Sequence, residues 1–323
     1  MTLEAVISVA RQGSELRAGG TDVCARARSG RSTGPFVDLA GVPGLRGIEW
    51  RPDGSVRIGA LATVAEIAAD PGLRAGYPGL TVTAGGLATP QIRAAGTLGG
   101  NLLQRNRCWY YRNPRFACYQ TGGDGCPARD GTHLYSAVVD QGPCVAPHAS
   151  SVAMALYAYD ATVEVAGRGV LAVADLYGDG SDPTRDHLLG PGEVLTAVAL
   201  PAPVPGERAA YHRAIGRAEA EWPLVEAVAR LVVDDAGTVT AVAVAAGGVA
   251  RTPLRLTEVD AALAGTKITW DGLVDAAGRV TGRCAPLPQT GYKVDLFRDT
   301  VLEVLERAAG PACDIPRHAR RSD

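Results

Sequence analysis

Three prolines fall within six residues at Pro201-Ala-Pro-Val-Pro-Gly206, a run that neither a helix interior nor a central strand accepts. The 323-residue chain is therefore expected to divide there, into one domain over 1–204 and a second over 205–310, with a tail over 311–323. Before the break, Leu3, Val6, Ile7 and Ala10 stand at helical spacing, and a strand at Leu16 leads through a glycine turn into a helical segment from Val23 to Arg28. Another strand follows at Phe36 to Leu39. Ile48 and Trp50, then Val56 and Ile58, alternate with polar residues on either side of the Asp53-Gly54 turn and predict a hairpin. Helices are expected near Val64 to Ala69, before Gly96, and over Val152 to Tyr159, with strands over Ala161 to Val165 and Val194 to Leu200. Beyond the break, apolar runs at Leu224 to Val233 and Thr238 to Ala246 flank Asp234-Asp-Ala-Gly237 as a second hairpin. Two helices should pack on it, the last from Gly291 to Ala308, and the tail should fray or pack on a partner. The fold class is α+β.

Composition excludes several functions. A net charge of −2 with 20% charged residues lacks the basic excess of a nucleic-acid binder. No apolar run reaches the roughly 18 residues that span a membrane, and the acidic, short-cored N-terminus does not resemble a signal peptide. Folding in the cytoplasm is expected, with export of the folded complex on a partner's signal left open. Forty Gly and 21 Pro point instead to many tight turns and close backbone approaches.

Two glycine clusters stand out, Ala18-Gly-Gly-Thr-Asp22 and Gly96-Thr-Leu-Gly-Gly-Asn101. Consecutive amide groups in such loops can point at one anion and hold a pyrophosphate without a lysine or a metal. An ordinary tight turn is the alternative for either cluster alone. No G-x-x-x-x-G-K-[ST] run is present, and the one G-x-G-x-x-[GA] match, Gly123 to Ala128, has no strand before it, so P-loop and Rossmann readings fail.

Four of the seven cysteines, Cys108, Cys118, Cys126 and Cys144, fall within 37 residues, spaced x9, x7 and x17, while Cys24, Cys284 and Cys313 are scattered. Structural disulfides are not expected in a chain that folds in the cytosol. Zinc knuckles pair thiolates two to four residues apart, and none is so paired here. Four thiolates from glycine-containing loops can instead wrap an iron-sulfur cubane, one per iron. Cluster, zinc and four unrelated thiols all stay open on spacing alone. Trp109, Tyr110, Tyr111 and Phe116 crowd the same stretch, where rings can flank a flavin, shield a cluster or simply fill a core. His133 and His148 read as surface or hydrogen-bonding residues, and no nucleophile, metalloprotease pair or carboxylate pair is evident.

Ala18-Gly-Gly-Thr-Asp22 followed by Gln91-Ile-Arg-Ala-Ala-Gly-Thr-Leu-Gly-Gly-Asn-Leu-Leu-Gln104 resembles the FAD-binding medium subunit of the molybdenum hydroxylases, the family of xanthine dehydrogenase, carbon monoxide dehydrogenase and aldehyde oxidoreductase. Gln104-Arg-Asn-Arg-Cys-Trp-Tyr-Tyr-Arg112, with three further cysteines, resembles the subgroup that carries an additional four-iron four-sulfur cluster. Gly190-Pro-Gly-Glu-Val-Leu195, Ala246-Gly-Gly-Val-Ala250 and Gly291-Tyr-Lys-Val294 extend the likeness nearly end to end.

The resemblance implies an FAD-binding fold of two α/β and α+β subdomains, an iron-sulfur insertion over about 105–147, and a C-terminal antiparallel sheet-and-helix subdomain. It implies FAD contacts from Arg17, Ala18, Gly19, Gly20, Thr21, Asp22 and Val23, from Thr97, Gly99, Gly100 and Asn101, and from Tyr111, Ser151, Val194, Leu195 and Arg213. Cys108, Cys118, Cys126 and Cys144 would ligate the cluster. Arg213 stands where relatives usually carry lysine, and Ser151 stands where they commonly carry aspartate. The implied partners are a molybdopterin-binding large subunit and a small subunit with 2Fe-2S clusters, in a heterotrimer or its dimer. Electrons from oxidation of an aldehyde or N-heterocycle would pass through this chain to an external acceptor. A stand-alone flavoenzyme of the same fold and a non-enzymatic metal-binding or redox-sensing protein are the rival readings.

Overall fold

The alternation read from the sequence builds three sheets in a computed structural model that describes residues 1–218 and 220–310. The tail over 311–323, with Cys313, lies outside the described residues. The first helix, Leu3–Arg11, is capped by the Thr2 hydroxyl and lays Val6 against Val37, Leu39, Leu45 and Val194. Strands β1 (Glu15–Arg17) and β2 (Phe36–Asp38) pair in parallel, so the chain between them must cross over, and the helix Val23–Arg28 makes that crossing.

Strands β3 (Ile48–Trp50), β4 (Val56–Gly59), β5 (Thr162–Ala166), β6 (Gly169–Ala172) and β7 (Val194–Leu200) form an antiparallel sheet in the order β3-β4-β7-β5-β6. Its inner residues Val56, Ile58, Val163 and Val198 are fully buried against the helices Pro78–Gly86 and Ser151–Ala158. The second of these has no polar face: Val152, Ala153, Met154, Ala155, Leu156 and Ala158 are all at 0% exposure. A helix apolar on every side belongs at the centre of a molecule. It also packs on the C-terminal sheet, and its N-terminal residue Ser151 is thereby fixed between the two halves of the chain.

That last sheet comprises β8 (Arg208–Ala214), β9 (Val225–Val233), β10 (Val239–Gly247) and β11 (Leu254–Arg255), antiparallel in sequence order. Three helices follow the hairpin rather than the expected two: Thr257–Leu263, Trp270–Gly278 and Tyr292–Ala309. The two shorter ones bury few residues, Val259 and Leu263 in one and Leu273, Ala276 and Ala277 in the other. Among the described residues no helix is long and apolar enough to cross a membrane.

Lys293, at the start of the last helix, is only 1% exposed, and its ammonium donates to the carbonyls of Gly248 at 3.1 Å and Tyr135 at 3.3 Å. Burial pushes its pKa down to about 7. Between that value and the unfolded lysine value of about 10.4, the unfolded chain holds the extra proton, so stability rises with pH across this window. The melting temperature of the wild type relative to Lys293→Met is expected to climb from pH 7 to pH 10. Parallel profiles would show that Lys293 does not titrate there.

Candidate functional site

Gly19 and Gly20 are glycines for separate reasons. A Cβ on Gly19 would lie 1.8 Å from the Ala95 carbonyl oxygen, and Gly20 has φ +74°, where side chains are strained. The loop therefore presses against the chain just before the second glycine cluster. Among the described residues, no backbone or side-chain acceptor takes the amides of Gly19, Gly20 or Thr21. Ala18 to Val23 line a cleft of about 680 Å³, whose aliphatic walls come from Leu16, Leu39, Leu61, Val194 and Leu195. Unclaimed amides at the mouth of an apolar cleft match a ligand with an anionic centre and a ring to bury.

The second cluster behaves differently from the anion loop expected of it. Thr97 caps a short helix, Leu98–Leu102, accepting from the Gly100 amide at 3.2 Å. The amides of Leu98 and Gly99 are taken at 2.8 Å by the carbonyls of Ala62 and Ala60, and that of Asn101 by Thr97. The amides from Leu98 to Asn101 are thus taken up inside the fold. Its glycines serve close packing, since a Cβ on Gly99 would meet that of Ala60 at 3.0 Å. Thr97, Gly99 and Gly100 form the wall opposite the first loop.

A second cavity, of about 1060 Å³, adjoins the first and shares its lining residues Thr21, Asp22, Gly100 and Gln104. Asn101, Ser151, Arg213, Arg107 and Trp222 border it. The Arg107 guanidinium stacks 4.4 Å from the Trp222 ring, and its buried Nε has no hydrogen-bond partner among the described residues. Ser151 and Arg213, from different halves of the chain, are thus brought to one cavity. Two expected residues are not. Arg17 turns outward to an ion pair with Asp38 at 2.8 Å, because side chains alternate along its strand. Tyr111 is buried against the cysteines instead, with Arg105 and Arg112 each 5.5 Å from its ring.

Cys108, Cys118, Cys126 and Cys144 line one small cavity of about 290 Å³, together with Tyr110, Tyr111, Pro127 and Ala146. Among the described residues, no three His, Cys, Asp or Glu side chains converge tightly enough to hold one metal ion. The neighbouring thiols of Cys126 and Cys144 titrate as a pair, which lowers the pKa of Cys126 and raises that of Cys144. Burial also raises Cys108. Trp109 and Phe116 remain largely exposed, so of the aromatic group Tyr111 is the one that seals the cysteines from water. His133 and His148 are buried and hydrogen-bonded to backbone rather than at the surface.

Two carboxylates that the sequence did not single out in this role bind the cysteine segment to its surroundings. Asp22 accepts from Arg107, from Arg112 at 2.8 Å, from Arg26 at 3.1 Å and from the Arg105 amide at 3.1 Å. Burial pushes its pKa up, but the Arg107 and Arg112 guanidiniums outweigh this and hold it below the usual range. Asp186, 5% exposed at its side chain, joins Arg105 at 2.8 Å to Arg251 of the C-terminal half at 3.0 Å. The glycine loop and the cysteine cavity are therefore ends of one ionic network.

The profile described as "FAD binding domain in molybdopterin dehydrogenase" matches residues 2–203. The chain belongs to this family. A second profile, "CO dehydrogenase flavoprotein C-terminal domain", covers residues 209–309. The aldehyde oxidoreductase FAD-binding subunit PaoB of Escherichia coli K12 is 33% identical over 319 residues, 96% of each chain. A putative xanthine dehydrogenase FAD-binding subunit of the same organism is 38% identical over 90 residues, 28% of this chain and 31% of that one. Carbon monoxide dehydrogenase from Hydrogenophaga pseudoflava shares the fold at TM-score 0.74 with 21% identity, covering 95% of this chain and 94% of that one. Quinoline 2-oxidoreductase from Pseudomonas putida 86 does so at 0.73 with 20% identity, over 96% and 95%. As a member of the molybdopterin dehydrogenase FAD-binding family, the chain is the flavin-binding part of an oxidoreductase, and the free amides of Gly19 to Thr21 suit the diphosphate of FAD.

Proposed function

We propose that this chain is the FAD and iron-sulfur electron-transfer subunit of a molybdenum hydroxylase acting on aldehydes or N-heterocycles. One FAD lies noncovalently along the two joined cavities, its diphosphate on the Gly19 to Thr21 amides, and one four-iron four-sulfur cluster sits on Cys108, Cys118, Cys126 and Cys144. The flavin, when bound, supplies the hydride and electron chemistry. The protein's own residues bind, orient and exclude water: Asp22 fixes the loop, Tyr111 covers the thiols, and Ser151 and Arg213 offer polar contacts to the flavin ring. The partners are a molybdopterin-binding large subunit and a small subunit carrying 2Fe-2S clusters. PaoB's likeness along 96% of both chains favours an aldehyde as the substrate class.

The observation that carries the cluster is that Cys108, Cys118, Cys126 and Cys144 all line one small cavity. A single zinc needs its sulfurs about 2.3 Å from one centre. A cubane spreads four terminal thiolates over four irons. Anaerobically purified protein is expected to hold about four irons per chain, most of them lost in Cys118→Ser and none in Cys284→Ser, whose thiol bonds only the Val280 carbonyl. Stoichiometric zinc without iron, or iron retained by the Cys118 variant, would overturn the cluster and leave the FAD reading intact.

A further inference from the structure

The rings of Trp109, Tyr110, Tyr135 and Trp222 line a further cavity, of about 1140 Å³, that no step above employs. Only 5% of the chain is aromatic, yet three of these rings stay open to solvent: Trp109 is 58% exposed, Trp222 49% and Tyr135 47%. Large rings left half in water and gathered in one hollow mark a ligand site. The wall that carries Tyr135 is fixed from behind. His133 donates its amide to the Gln289 side chain at 2.9 Å and accepts at Nε2 from the Gln289 amide at 3.1 Å. The Tyr292 hydroxyl donates to the Leu134 carbonyl at 2.9 Å, and the Lys293 ammonium to the Tyr135 carbonyl at 3.3 Å. Three consecutive residues of the wall are thus held in place. Trp109 meets Tyr135 edge to face at 5.1 Å, and the Tyr110 hydroxyl accepts from the Thr132 amide at 2.6 Å. A hollow braced in this way is formed before anything binds.

Its position and lining say what kind of ligand it takes. It shares Arg107, Glu221, Trp222 and Pro223 with the cavity bordered by Ser151 and Arg213. It shares Cys108, Tyr110, Ala128 and Ala146 with the cavity of the four thiols. A molecule bound here therefore neighbours both. Thr132, Ser136 and Arg217 bring groups that donate hydrogen bonds, while the one carboxylate in the lining, Glu221, already accepts from the Arg217 amide at 2.9 Å. Rings to stack on and donors at the rim suit a flat ring that carries carbonyl oxygens. We propose that this cavity binds a quinone, the acceptor to which the chain passes its electrons. This rests on the FAD and iron-sulfur reading above.

A quinone reduced here takes up two electrons and two protons and leaves as the hydroquinone. A two-electron-reduced flavin releases the same number in returning to its oxidised form, so the exchange balances without a further reactant. Trp109 and Tyr135 line neither neighbouring cavity, and they grip the quinone ring without touching flavin or thiols. Trp222 and Arg107, stacked at 4.4 Å, stand between the quinone and the flavin.

The test is calorimetric titration of the oxidised, cofactor-loaded protein with menadione, a naphthoquinone, under conditions where no electron is transferred and binding alone is read. One menadione should bind per chain and saturate. Trp109→Ala and Tyr135→Ala should each weaken it by about fivefold to tenfold, the size of one lost ring contact. Their flavin and iron contents should match the wild type, which shows that the variants are folded. When dithionite-reduced protein is mixed with menadione, the rate of flavin reoxidation should saturate in the wild type and rise linearly in both variants over the same range. No saturable binding, or wild-type affinity in both variants, would overturn the site. Menadione that binds without reoxidising the reduced flavin would overturn the acceptor role, as would NAD that binds more tightly than menadione and weakens in the same variants. Folded, iron-loaded protein without flavin would instead bring down the functional reading, while the titration still decides whether the cavity binds a quinone.

Discussion

Replacing Gly19 with alanine is expected to remove FAD from the chain almost completely. The added Cβ would sit 1.8 Å from the Ala95 carbonyl oxygen, about half the distance of an ordinary contact, and that oxygen is backbone rather than the end of a flexible side chain. Either the glycine loop lifts away from Ala95, carrying its three free amides out of the cleft, or the Pro90–Ala95 helix moves and opens the opposite wall. Both routes break the geometry that aims donors at a diphosphate. A loss of at least two charge-assisted contacts corresponds to roughly a hundredfold or more in affinity. Gly13→Ala is the control: a Cβ there meets nothing within 4 Å, and although its φ of +95° adds local strain, Gly13 does not line the cleft. Its FAD content should match the wild type. Equal flavin content in Gly19→Ala and wild type, measured after extraction, would show that the loop does not hold the cofactor.

The second large effect concerns Asp22. Alanine at this position leaves the guanidiniums of Arg107 and Arg112 without their carboxylate partner, and Arg26 with Glu15 alone. Breaking a partly buried ionic cluster from one side costs about 3–5 kcal/mol. Here the cost falls on two sites at once, because the same carboxylate anchors the glycine loop and the segment leading into Cys108. Flavin and iron should be lost together in Asp22→Ala. The carboxylate's pKa lies below its unfolded value, so its contribution is present above about pH 4 and disappears as acid protonates it. Iron retained at full stoichiometry in a flavin-free Asp22→Ala chain would separate the two sites and contradict a shared network.

Local chemistry was legible in the sequence wherever it repeats over a few residues. Alternation predicted β3 and β4, and apolar runs predicted β9 and β10, with the turns between them, and the helices at Leu3–Arg11 and Tyr292–Ala309 followed from apolar spacing. Gly19 and Gly20 could be suspected from composition and order alone. The second glycine cluster shows the limit of that reasoning, since a Thr-Leu-Gly-Gly run fits both an anion loop and a capped helix. The Ala60 and Ala62 carbonyls, some 37 residues earlier, decide for the helix by consuming the amides. Asp22 with Arg107, and Asp186 with Arg105 and Arg251, pair across 65 to 85 residues, and no local period carries such information. Glu226 was hidden for the same reason: within Leu224 to Val233 it reads as a polar residue on a strand, and only the bare Gly247 and the Tyr211 hydroxyl across from it show why a carboxyl is buried there.

The central claim is that the joined cavities beside Gly19 to Thr21 hold FAD. Full-length protein, purified with its bound cofactors and denatured to release them, should yield one FAD per chain when the supernatant is resolved by chromatography and the flavin counted against protein. No flavin should remain on the precipitated chain. FMN in place of FAD, a flavin that stays covalently attached, or no flavin in protein that is otherwise folded and fully loaded would contradict the account.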